Sequence, residues 1–191
     1  MNYATSKIAL LGTSADPPTN GHEIIIKELA EKYDLVITYA SNNPSKKHQE
    51  SLSSRSNLLK ILIDNLNNSK IIFDEKISSP WAIKTIKKSK AKYQIKSLEF
   101  VIGSDLIEEM FLWKNIDEIL KEAKLYIIPR DGYEINPEHL DAITKLKGAF
   151  EISKFKIPNV SSSMARSDSN YSFLPKSLIS IVKSKNLYKC N

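Results

Sequence analysis

A histidine at the start of a helical pattern, a run of serines leading to an arginine, and a glycine–serine–aspartate turn are the residues here whose spacing suits phosphate chemistry. Gly12-Thr13-Ser14 ends an apolar stretch and leads through Ala15-Asp16-Pro17-Pro18 to Thr19-Asn20-Gly21-His22. Ile24, Ile25, Leu29 and Ala30 follow at helical spacing. Thr19 or Asn20 can cap that helix, which puts His22 in its first turn. There the backbone N–H groups lack partners and the helix dipole is positive, so an anion is held. Glycines at 12 and 21 let backbone and phosphate approach closely. A lone histidine in a proline-rich turn is more often a bystander on the surface, so the weight falls on its setting. Neither a Walker sequence nor G-x-G-x-x-G is present.

Further along, Ser161-Ser162-Ser163 precedes Met164-Ala165-Arg166. Serines ahead of a short helix offer a cap, hydroxyls and backbone donors, and the arginine adds a planar fork for phosphate oxygens. The bland alternative is a disordered serine loop. Lys46, Lys47 and His48 sit in a polar segment, where at least one lysine is expected to be merely solvated. Gly103-Ser104-Asp105 follows an apolar run; its carboxylate suits ribose hydroxyls, and Ser104 or Asp105 can equally cap a helix. Trp113 offers a flat face for a ring, or a core side chain. Arg130, in Pro129-Arg130-Asp131-Gly132-Tyr133, reads as an anion contact or as the ion-pair partner of Asp131 or Glu134. Arg55 reads as an ordinary surface or helix-packing arginine. Only three of the 28 basic residues are arginines (55, 130 and 166), which marks them where planar anion contact matters.

These residues need a scaffold. Apolar runs predict strands at 7–12, 34–40, 70–74, 98–102, 124–128 and 150–155. Helical periodicity predicts helices at 21–33, 54–66, 80–90 with Pro80 in the first turn, 137–146 and 175–184, and helical segments within 105–120. The stretch 41–50 reads as loop, and 161–173 as a disordered or ligand-binding loop. Alternation of this kind predicts an α/β fold, a doubly wound, Rossmann-like parallel sheet in a single domain spanning 1–191, with a short C-terminal helical appendage. In such folds ligands bind beyond the carboxyl ends of the strands. The loops after 12, 40, 102, 128 and 155 are therefore expected to converge on one crevice.

Composition narrows the class. The chain has 191 residues, 41% hydrophobic and 26% charged, an ordinary globular balance. The single cysteine, Cys190, excludes an internal disulfide framework and a thiolate zinc site, and suits a reducing compartment. No apolar run nears the roughly 20 residues of a membrane span. A cytoplasmic protein without membrane contact is expected. The net charge of +6 favours anionic ligands, with the densest lysines at 84–96. His22, His48 and His139 show no ligand spacing, so no protein-held metal is expected.

The motif Thr19-Asn20-Gly21-His22 resembles the (H/T)-x-G-H signature of nucleotidylyltransferases. Thr19–His22 with Glu23-Ile24-Ile25 and Asn43-Pro44-Ser45-Lys46-Lys47 is similar to phosphopantetheine adenylyltransferase. Phe100-Val101-Ile102-Gly103-Ser104-Asp105, Trp113-Lys114, Ile127-Ile128-Pro129-Arg130-Asp131-Gly132-Tyr133, Val160–Arg166 and Leu187-Tyr188 resemble bacterial nicotinate-nucleotide adenylyltransferase, in order, over nearly the whole chain. That resemblance implies transfer of the adenylyl group of ATP to nicotinate mononucleotide, giving deamido-NAD and pyrophosphate. It implies His22, Lys47 (or Lys46) and Arg166 as catalytic. It implies ATP contacts from Gly12, Thr13, Ser14, Thr19, Gly21, Gly103, Asp105 and Ser161–Ser163. It implies mononucleotide contacts from Ser14, Lys47, Trp81, Thr85, Trp113 and Arg130, with Mg²⁺ carried by the substrate phosphates. Ser79-Pro80-Trp81-Ala82-Ile83-Lys84-Thr85 stands where the family has S-Y-T-x-x-T, a segment that helps recognise the nicotinate carboxylate. Nicotinamide mononucleotide therefore stays open as acceptor. A basic nucleotide- or RNA-binding module is the non-enzymatic alternative; it lacks the clustered aromatics such modules use, so no nucleic-acid partner is expected.

Overall fold

A computed structural model describes residues 6–157, 159–167 and 171–188. Cys190 and part of the serine-rich stretch lie outside them. The elements are β1 (Ile8–Thr13), α1 (Asn20–Lys32), β2 (Leu35–Ala40), α2 (Leu52–Leu66), β3 (Ile71–Phe73), α3 (Ala82–Tyr93), β4 (Glu99–Gly103), α4 (Ile107–Met110), α5 (Ile116–Glu122), β5 (Lys124–Ile128), α6 (Pro137–Lys145), β6 (Phe150–Ile152), α7 (Ser162–Ser167) and α8 (Lys176–Ser184). The strands form one parallel sheet in the order β3-β2-β1-β4-β5-β6. The order reverses beside β1, the place where a crevice opens in a doubly wound sheet.

The sequence dictates this arrangement. β1 sends Ala9 and Leu11 to one face and Ile8 and Leu10 to the other, all buried. One face packs on α1, α2 and α8 through Ile26, Leu29, Leu58, Leu62 and Val182; the other packs on α3, α5 and α6 through Ile83, Ile86, Ile119 and Ile143. A central strand buried on both sides must be apolar throughout, which is why the runs were readable. The last helix, expected as an appendage, lies against α2 with Leu178 and Val182 in the core. Pro80 precedes α3 rather than opening it, because Trp81 is the N-cap residue in an extended conformation. The segment 105–120 breaks at Asn115, whose φ of 59° is left-handed. β6 stops at Ile152 instead of 155, where the Ser153 hydroxyl accepts from the Phe155 N–H at 3.0 Å and turns the chain. The stretch 161–173 is partly helical, holding α7 and a single 3₁₀ turn, Tyr171–Phe173.

One buried charge sets the loops above the sheet. Arg55, on the first turn of α2, is 1% exposed. Its guanidinium donates to the carbonyls of Ser14 (2.6 Å), Ser41 (2.9 Å) and Glu50 (3.2 Å). Those carbonyls belong to the loop after β1, the loop after β2 and the approach to α2. Asp16 completes the knot, its carboxylate accepting from the Gln49 N–H at 2.7 Å and the Glu50 N–H at 3.1 Å. Replacing Arg55 by methionine leaves three carbonyls without their donor. The variant is expected to lose about 3–5 kcal/mol in urea unfolding, the scale for leaving several buried acceptors unsatisfied at roughly 1–3 kcal/mol each. A loss below about 1 kcal/mol would contradict the knot.

Candidate active site

Loops from five strand ends do converge. They surround a cavity of about 700 Å³ lined by Thr13, Ser14 and Asp16 after β1, Ser41, Lys46, Lys47 and His48 after β2, Gly103 and Asp105 after β4, Arg130 and Tyr133 after β5, and Ser161–Ser163 with Arg166 after β6. Trp81 and Trp113 add two aromatic walls, Gly12 lies at the end of β1, and Thr19 and His22 stand at the foot of α1. A Cβ at Gly12 would run into the Tyr39 ring, its register partner on β2, so glycine is required for Tyr39 to form part of the floor.

His22 is fixed by its own helix cap. Its Nδ1 accepts the Thr19 backbone N–H at 3.0 Å and lies 2.8 Å from the Thr19 hydroxyl. The imidazole takes the place that Glu occupies in a capping box. With Nδ1 accepting, the neutral ring carries its proton on Nε2 and is a hydrogen-bond donor there. Burial, then the Arg130 charge, pull the pKa from 6.5 down to about 4. At neutral pH His22 is therefore an uncharged, oriented donor.

Arg166 and Ser162 dock α7 on the β1–α1 loop. Arg166 donates to the Asp16 carbonyl at 2.6 Å and to the Ser163 hydroxyl at 3.2 Å, and stands 3.9 Å from the Asp16 carboxylate. The Ser162 hydroxyl donates to the Pro17 carbonyl at 2.8 Å. On the far side, Arg130 pairs with Asp105 at 2.9 Å, not with Asp131 or Glu134, and lies over the Tyr133 ring. Ser104 ties these two loops, accepting from the Arg130 N–H at 2.9 Å and donating to the Tyr133 carbonyl at 2.8 Å. Trp113 stacks edge-on against Phe100 and donates from Nε1 to Glu109 at 3.4 Å. Lys46 and Lys47 both reach the cavity wall.

Two of the expected contact residues, Thr85 and Gly21, do not line the cavity. Thr85 is fully buried beside Tyr39, four residues into α3 and away from the cavity. Gly21 lies under the 159–161 segment, where its lost side chain admits the Val160 carbonyl; it spaces the chain and does not line the cavity. Thr19 does line the cavity, but it is completely buried and its hydroxyl lies 2.8 Å from His22 Nδ1. The sequence also left Asp16 and His48 without a role, and it marked Arg55 only as one of three arginines. A carboxylate set between a strand end and two prolines was the available signal for Asp16. Burial, then Arg55, lowers the His48 pKa, and its Nε2 is buried without a hydrogen-bond partner among the described residues. The dense lysines of α3 are largely committed to acids: Lys87 to Glu118, Lys90 to Glu122 and Lys92 to Asp74. Among the described residues no three acidic, histidine or cysteine side chains gather as a metal site, and no helix is long and apolar enough to cross a membrane.

Residues 10–168 match the cytidylyltransferase-like family model. The probable nicotinate-nucleotide adenylyltransferase of Synechocystis sp. is 30% identical over 96% of this chain and 99% of its own. The chain belongs to this family, on its nicotinate-nucleotide adenylyltransferase branch. It is a nucleotidyltransferase. The probable nicotinate-nucleotide adenylyltransferase of Bacillus mycoides is 28% identical over 84% of both chains. In fold, the chain is similar to Plasmodium falciparum nicotinic acid mononucleotide adenylyltransferase complexed with NaAD, with a TM-score of 0.76, 24% identity and coverage of 97% and 98%.

Two results follow from the His22 geometry. Ring nitrogen NMR is expected to show the neutral Nε2–H tautomer down to about pH 5, with a midpoint near 4. Between 6.5 and about 4 the unfolded chain binds this proton and the folded one does not, so His22 lowers stability as pH falls through that window. A midpoint near 6.5 would contradict the assignment. His22→Ala is expected to fold and to lose roughly 10²–10³-fold in kcat, the scale for one preorganised donor.

Proposed function

We propose that this nucleotidyltransferase moves the adenylyl group of ATP onto nicotinate mononucleotide, yielding deamido-NAD and pyrophosphate. The observation that carries the reading is His22: a neutral donor locked at the head of α1 inside a cavity rimmed by Lys46, Lys47 and Arg166. A phosphate oxygen of the mononucleotide attacks the α-phosphorus of ATP. A new P–O bond forms, the bond to the β-phosphate bridge breaks, and pyrophosphate leaves with the electron pair. No protein nucleophile or base is needed, because the attacking phosphate is already ionised. The task is positioning and charge neutralisation.

His22 Nε2–H hydrogen-bonds the α-phosphate oxygen as charge builds. Lys47, Ser163 and Arg166 hold the β- and γ-phosphates. Thr19 acts through His22. Asp105 and Arg130 serve the adenosine end, where Arg130 exchanges part of its pairing with Asp105 for ligand as the ribose enters. Arg130 was expected with the mononucleotide, but its partner in the cavity is the ribose-binding candidate Asp105. Trp113 stacks on the pyridine ring. The acids available fit a metal brought in by phosphates rather than a protein cage: Asp16 is held by two N–H groups and Asp105 by Arg130. Mg²⁺ bound through those phosphates would supply charge neutralisation at the triphosphate.

Acceptor choice rests on the head of α3. The Trp81 N–H is committed to the Ser79 hydroxyl at 3.4 Å, so the donors left for a ring carboxylate begin at Ala82, which lines the cavity. The dipole of this 12-residue helix favours an anion there. Nicotinate mononucleotide is expected to be preferred over nicotinamide mononucleotide by at least about tenfold in kcat/KM, roughly 1.4 kcal/mol. Pyrophosphate release with ATP, Mg²⁺ and each of nicotinate mononucleotide, nicotinamide mononucleotide and 4′-phosphopantetheine measures this. Fastest turnover with the phosphopantetheine would overturn the reading.

A further inference from the structure

The departure at 79–85 puts a tryptophan where the family pattern has tyrosine and threonine, and the structure gives that tryptophan a charged companion. Lys114 places its ammonium 5.0 Å from the centroid of the Trp81 ring. Both side chains line the cavity, and Lys114 directly follows Trp113. Trp81 is half-buried and packs on the core face formed with Ile83 and Ile86, so its ring is a fixed platform. Lysine is flexible in solution; a cation resting on an indole face is localised without losing its charge.

Behind two residues of the same cavity wall, Trp113 and Asn43, lies a carboxylate. The Glu109 carboxylate accepts from Trp113 Nε1 at 3.4 Å and from the Asn43 amide at 3.5 Å, and neither donor is charged. An anionic ring substituent brought in beside Trp113 meets that carboxylate unless a cation stands nearby. The ammonium of Lys114 is that cation.

We infer that Lys114, held over Trp81, is a further specificity-determining residue that acts with the head of α3 to favour a carboxylate over a carboxamide on the pyridine ring of the acceptor. The inference rests on the reading given under Proposed function. It assigns to one side chain the discrimination that the altered 79–85 segment no longer supplies through tyrosine and threonine. An amide gains little from the ammonium, whereas a carboxylate gains a full charge interaction. Because Lys114 is solvent-exposed and makes no core contact, its replacement leaves the fold intact.

The test compares wild type, Lys114→Gln and Lys114→Arg, each with nicotinate mononucleotide and with nicotinamide mononucleotide, at saturating ATP and Mg²⁺. Lys114→Gln is expected to lose about tenfold in kcat/KM for the nicotinate acceptor, mainly through KM. Turnover of the nicotinamide acceptor and the KM for ATP stay within about twofold. Lys114→Arg restores most of the nicotinate preference. Raising the salt concentration narrows the wild-type preference and leaves Lys114→Gln unmoved, because the interaction is screened. An acceptor ratio unchanged in Lys114→Gln, in a wild type that does prefer nicotinate, overturns the inference alone. A wild type that transfers to neither mononucleotide overturns the functional reading and this inference with it.

Discussion

The guanidinium of Arg55 is the point on which the site hangs. α2 is anchored in the core by Leu58, Leu59 and Leu62, and from its first turn Arg55 reaches up to three carbonyls of three different segments. The loop after β1 is thereby fixed to the loop after β2. Asp16, in the first of these, ties back to Gln49 and Glu50 and also carries α7 through its carbonyl and Arg166. The α1 head with His22 begins three residues past the Asp16–Pro17 turn. A lysine offers one compact charge and cannot span three acceptors in a plane, which explains an arginine here in a lysine-rich chain.

On that frame the electrostatics divide labour. The cavity is positive overall through Lys46, Lys47, Arg130 and Arg166, yet its central imidazole is neutral. Burial and the neighbouring Arg130 keep the proton off Nδ1, and the Thr19 N–H holds that nitrogen as an acceptor. In the proposed reaction the lysines and arginines attract and hold phosphate charge. His22 adds a directional hydrogen bond that need not titrate during the reaction. Two stations with aromatic rings and cations, Trp81–Lys114 beside Trp113 and Tyr133–Arg130 beside Asp105, suit a product with a ring at each end.

Much of this was legible in the sequence, for physical reasons. Strands buried on both faces must be apolar, so five of the six were placed to within a residue or so at each end. The brief β6 was overextended because Ser153 turns the chain through its own side chain. The five loops followed from strand order alone. His22 and Asp105 could be named because each sits at a helix head or past a strand end; Arg166 was named with the serine run before it, and Trp113 by resemblance. Thr85 was named by resemblance alone, and it is turned inward beside Tyr39, a placement that only tertiary packing discloses. Thr19 and Gly21 were placed correctly in the chain but work on His22 and Val160, which only tertiary packing discloses. Arg55 gave no local signal, since nothing in its neighbours tells a charge to point inward.

The fate of labelled ATP tests the central claim most directly. With ATP labelled separately at the α- and γ-phosphates, nicotinate mononucleotide and Mg²⁺, the account predicts all transferred α-label in a dinucleotide and the γ-label in pyrophosphate, in equal amounts. His22→Ala is predicted to slow both together. Formation of ADP with the γ-label on the acceptor, or release of α-label as AMP, would mean that the cavity performs a different phosphorus chemistry and would contradict the account.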